Sequence, residues 1–116
     1  MKDYYTEFVN LSLQQCTKED YKYKSRVRKH NRAFKKIEIL TNEISKLEEG
    51  QRIEILERLL SHEDSRVVTG AGAYCLQSGL LKDKALERLR EIVLTETDPV
   101  LSFSAEMFLK VHFNLL

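Results

Sequence analysis

Apolar residues recur at intervals of three and four along almost the whole chain, the spacing of one helical face. Tyr5, Phe8, Val9, Leu13 and Cys16 predict a first helix over 3–16. Thr17 and Asp20 then read as a capping box, with Asp in place of the usual Glu. A long second helix is predicted over 18–48, on a seam of Val27, His30, Phe34, Ile37, Thr41, Ile44 and Leu47. Gly50 ends it. A third helix over 51–60 turns Ile53, Leu56, Leu59 and Leu60 to one side, and Asp64 caps a fourth that stops at Gly79. A fifth over 82–94 carries Leu86, Leu89, Ile92 and Val93. Asp98 followed by Pro99 is the strongest helix start in the chain, opening a sixth that runs to about His112.

The last four helices form a repeat. An offset of 33 lays Ile53, Leu56, Leu59 and Leu60 on Leu86, Leu89, Ile92 and Val93. An offset of 34 lays Asp64, Val67, Gly70, Ala71 and Tyr74 on Asp98, Leu101, Ser104, Ala105 and Phe108. A helical hairpin used twice implies a short α-solenoid. It also addresses two glycines placed mid-helix, each costing about 1 kcal/mol against alanine. Gly70 and Ala71 match Ser104 and Ala105, so a small pair at the centre of one face lets two helices approach closely. Gly72 matches Glu106 and lies off that face. It is expected to be exposed or to face a partner.

The Asp-x-x-Val start, the small pair and the later apolar residue resemble the second helix of a HEAT repeat. The pattern departs at Val68, where HEAT repeats often carry Arg. More narrowly, "SGLLKDKALERL" and "DPVLSFSAEMFL" resemble the C-terminal half of a bacterial family known as domain of unknown function 2019. The resemblance covers roughly residues 50–112 and implies a small HEAT-like helical protein with no assigned activity. The expectation is an all-α, HEAT-like α–α superhelix of about six helices. It forms one domain over 1–116: a helix plus a long helix over 1–49, then two hairpins over 50–116.

Composition adds limits. A chain of 116 residues suits one domain that buries its own core. One proline and four glycines leave little room for the turns of an all-β fold. Lys and Arg number 19 against 18 Asp and Glu, so net charge points to no partner. Cys16 and Cys75 lack ligand spacing and lie on apolar stripes, as buried free thiols do. No apolar run approaches a membrane span, so a soluble, cytoplasmic protein is expected. His30, His62 and His112 have no partner at metal-ligand spacing. "TGAGAY" follows helical residues and lacks the Lys-Ser/Thr of a phosphate loop. The expectation is therefore no enzyme, no cofactor and no metal.

Two surfaces are candidates for binding. From Lys18 to Lys36 there are nine Lys or Arg and two acids. Arg28, Arg32 and Lys35 fall on one helical strip, with Lys29 and Lys36 on the next. Beyond its core stripe the sixth helix lines up Phe103, Met107 and Val111, beside Glu106. A terminal solenoid repeat normally shows a polar outer face. A cover is expected from the N-terminal helices, the "FNLL" tail, a second copy or a foreign partner. Arg66, beside the fourth helix cap, is grouped with this partner-binding set. These features point to a non-catalytic scaffold that binds protein, a toxin in an immunity-type role or itself as a homodimer. The alternative is a nucleic-acid binder using the basic strip.

Overall fold

The structure, a computed structural model, describes residues 2–113, with side chains from 2 to 111. Six α-helices are described: α1 (Tyr4–Ser12), α2 (Lys24–Ser45), α3 (Glu49–Leu60), α4 (Ser65–Ser78), α5 (Lys82–Thr95) and α6 (Pro99–Phe113). A single 3-10 turn covers Asp20–Lys22, and no strand occurs among the described residues. The molecule measures 40 × 34 × 22 Å. Its short axis is about two helix diameters, so the helices stack in roughly two layers.

The local chemistry of the C-terminal half follows the sequence closely. Asp64 caps α4, its Oδ1 accepting from the Arg66 N–H at 2.9 Å. Asp98 does the same for α6, accepting from Val100 N–H at 2.9 Å and Leu101 N–H at 3.3 Å. Gly79 ends α4 at φ 79°, a left-handed position that costs glycine nothing.

The N-terminal half departs from its predicted boundaries. The Thr17–Asp20 box forms, with Thr17 N–H donating to Asp20 Oδ2 at 3.0 Å and Asp20 N–H to Thr17 Oγ1 at 3.4 Å. It starts the 3-10 turn and not the long helix. Tyr23 is extended (φ −116°, ψ 118°) and breaks the chain before α2 begins at Lys24. Gly50 does not end α2. The helix ends at Ser45, whose hydroxyl donates back to the Thr41 carbonyl at 2.9 Å. Glu48 is extended (ψ 148°), and Gly50 lies exposed in the first turn of α3. The buried seam of α2 is also rotated. Ala33, Leu40 and Ile44 are buried, while Phe34 is 52% exposed. α2 rests on α1 and on the 3-10 turn, so only a narrow stripe is covered.

α4 is the hub. It packs against α1, α3, α5 and α6. Every residue from Val67 to Leu76 is buried except the half-buried Gly70. A helix apolar on all sides belongs in an interior. Both mid-helix glycines follow from that position. A Cβ on Gly70 would lie 3.2 Å from Phe8 Cζ of α1, so the glycine receives the phenyl ring. A Cβ on Gly72 would meet three atoms of the Leu89 side chain of α5 at 3.1–3.2 Å. Gly72 is therefore neither exposed nor facing a partner, because α5 occupies its side of α4. Cys16 and Cys75 are buried free thiols, and desolvation pushes the Cys75 thiol up to about 12.

Candidate interaction surfaces

α6 is held from one side. Ala105 and Leu109, one turn apart, are fully buried, and α6 packs against α4 and α5. Phe103, Met107 and Val111 point the other way, 58%, 38% and 70% exposed. Their i, i+4, i+8 spacing puts them in one line on the outer face. The expected cover by the N-terminal helices does not occur, because α1 is engaged with α2, α3 and α4. The tail beyond residue 113 and the His112 side chain lie outside the described residues. Glu106 flanks the line and pairs with Lys110 at 3.9 Å.

Arg66 is not brought to this face. Its Nε and terminal nitrogen donate to the two Asp64 carboxylate oxygens at 3.0 and 2.9 Å. Its other terminal nitrogen donates to the carbonyls of Leu13 at 3.0 Å and Gln15 at 3.3 Å. The fork thus binds the start of α4 to the carbonyls that follow α1, groups that a helix end leaves without partners. Hydrogen bonding to Arg66 holds the Asp64 carboxyl below its ordinary range, and Asp64 raises Arg66 in return.

The basic strip is fully displayed. Arg28, Lys29, Arg32, Lys35 and Lys36 are all exposed. None of the five makes an ion pair with a described residue. Glu43 of α2 pairs instead with Lys2. At the head of the strip, the Arg26 guanidinium lies 4.5 Å from the Tyr23 ring centre and bonds Asp20 at 2.8 Å.

The histidines serve backbone groups. His30 Nδ1 accepts from the Cys16 N–H at 2.8 Å, and burial lowers its pKa. His62 Nδ1 accepts from the Asp64 N–H at 3.0 Å. Among the described residues no three His, Cys, Asp or Glu side chains lie together as metal ligands would. No helix among them is long and apolar enough to cross a membrane. Comparison with protein-family models, with curated proteins and with solved structures found no match to this chain.

Proposed function

We propose that this chain is a non-catalytic helical scaffold that binds another protein through the outer face of α6. The observation that carries the reading is the open line of Phe103, Met107 and Val111. Three large apolar side chains aligned on one helix suit docking against a complementary apolar surface. The HEAT-like reading accompanies it. It is supported by the matching caps at Asp64 and Asp98 and the equally buried small residues Ala71 and Ala105. The specific version is an immunity-type role, in which the face occludes a bacterial toxin in the cytoplasm. Its test is co-expression with the products of neighbouring genes. A stable complex that is lost on Phe103→Glu plus Met107→Glu is expected. Failure to form a complex with any of them, or one indifferent to these changes, contradicts the reading. Sedimentation of the isolated chain separates the homodimer version, which the same double change would dissociate.

A second reading is favoured by the five exposed cations of α2, none of which pairs with a described acid. It is a nucleic-acid interface, whose affinity would fall steeply with salt as counterions are released. Titration of a fluorescent oligonucleotide tests it. Binding that weakens with added salt and is lost on Arg28→Glu plus Arg32→Glu is expected. Absent or salt-insensitive binding removes this reading.

A further inference from the structure

Charge is segregated along the chain. Residues 18–36 hold nine Lys or Arg and two acids, whereas residues 37–64 hold three Lys or Arg and eight acids. The chain as a whole carries only +1. Opposite charges so close in sequence could cancel within one molecule, yet on α2 and α3 they do not. Arg28, Arg32 and Lys35 of α2 make no ion pair with a described residue, and neither do Glu54 and Glu57 of α3. All five side chains are exposed.

The two sets share one spacing. Arg28, Arg32, Lys35 and Ile39 stand at i, i+4, i+7 and i+11 on α2, turned away from the buried Ala33, Leu40 and Ile44. Gly50, Glu54, Glu57 and Ser61 stand at the same intervals along α3 and its C-cap, and all four are exposed. Each row is about 16 Å long, at 1.5 Å per residue. Laid antiparallel, Lys35 meets Glu54 and Arg32 meets Glu57. Arg28 then lies at the C-terminal end of α3, where a cation suits the helix dipole. Ile39 meets Gly50. Ile39 is 61% exposed among the cations, and a Cβ on Gly50 would meet nothing within 4 Å, so the glycine leaves a notch for the isoleucine. Laid parallel, the rows would set Ile39 on Ser61 and Arg28 at the positive end of α3. No like charges face each other in the antiparallel order.

We propose that the α2 row of one copy docks antiparallel on the α3 row of a second copy, so that the chain self-associates through complementary charge. An apolar side chain among the cations, a net charge near zero and a matching acidic row on the same chain fit a second copy better than a polyanion. Exposed ion pairs are individually weak, so the association is weak and strongest at low ionic strength. The contact is separate from the outer face of α6, and it competes with nucleic acid for the cations of α2.

Sedimentation velocity of the full chain tests it. At low ionic strength the sedimentation coefficient should rise with protein concentration, and added salt should return the chain to monomer. Arg32→Glu plus Lys35→Glu should weaken association roughly tenfold or more, and Glu54→Lys plus Glu57→Lys should do the same. Each of these double variants carries like charge on both rows, whereas an equimolar mixture of the two restores opposite charge and should associate again. That rescue is one that neither a folding defect nor nucleic-acid binding would produce. A monomer at every concentration and ionic strength overturns the proposal. So does association that salt or the charge reversals leave unchanged, or a mixture that stays monomeric. Association kept by both reversals but lost on Phe103→Glu plus Met107→Glu places the contact on α6 and also overturns it. Salt-dependent oligonucleotide binding by a chain that stays monomeric overturns it in favour of the nucleic-acid reading. The concentration and salt dependence of the unaltered chain decides the matter even where a variant fails to fold.

Discussion

α4 and α6, which an offset of 34 lays on one another in sequence, live in different surroundings. α4 packs against α1, α3, α5 and α6, meets α2 where Tyr74 hydrogen-bonds Ser45, and is buried from Val67 to Leu76 apart from the half-buried Gly70. α6 packs chiefly against α4 and α5 and shows solvent a line of large apolar residues. Their shared features are the ones a helical hairpin needs whatever surrounds it: an Asp cap, a small residue at the crossing (Ala71 and Ala105) and an apolar residue one turn later (Cys75 and Leu109). Their differences track what lies on the other faces. α4 has Val68, Gly70 and Gly72 because α1 and α5 lie against it. α6 has Ser102, Ser104 and Glu106 at those positions. The comparison shows that a repeat pattern specifies one face of a helix and leaves the remaining faces to the neighbours.

The largest expected break comes from Phe8, the ring that lies on Gly70. Phe8→Ala should cost about 4 kcal/mol, since a fully buried aromatic leaves a cavity. Phe103→Ala on α6 should change stability by less than about 0.5 kcal/mol. Urea denaturation of both variants checks the contrast.

Gly72 and Glu106 sharpen it at matched positions. Gly72→Val drives a branched side chain into Leu89 and should cost about 2 kcal/mol by overpacking. Glu106→Val should stay within about 0.5 kcal/mol. Equal effects at the two positions would mean that α5 does not lie against Gly72 as described.

The smallest effect is a pH dependence at the junction of α1 and α2. His30 has a lowered pKa in the folded protein, so its neutral form is the one the fold uses. Its contribution is complete above the ordinary value of 6.5 and is lost as the pH falls through the lower folded value. Protonating Nδ1 also removes the acceptor for the Cys16 N–H. Stability measured between pH 7.5 and 5.5 should decline on the acid side, and His30→Gln should flatten the decline in that window.

What was legible in the sequence divides along the chain. The C-terminal helices carry strong stop and start chemistry in Asp64, Gly79, Asp98 and Pro99, and their boundaries fell close to expectation. The N-terminal half has weaker signals. Thr17 and Asp20 form their box around a 3-10 turn, and α2 ends at Ser45, ahead of Gly50. Nothing in the local pattern reports either outcome. Periodicity counts Phe34 into the α2 seam although it is exposed, because a repeat of apolar positions shows that a stripe exists without showing how wide the supporting helix is. The roles of two arginines were equally hidden. Arg66 binds the carbonyls after α1, and Arg88 binds the carbonyls of Leu60 and His62 at 2.7 and 2.9 Å after α3. Such clamps join residues 26–53 positions apart, and only the tertiary arrangement reveals them.

The contrast between hub and edge is tested most directly by thiol labelling at the matched pair Ala73 and Met107, 8% and 38% exposed. Both native cysteines are buried, so each added thiol reports its own site. Met107→Cys should react with a disulfide reagent at close to the rate of a free thiol, and Ala73→Cys only as fast as the protein unfolds. Similar rates at the two positions would contradict the account.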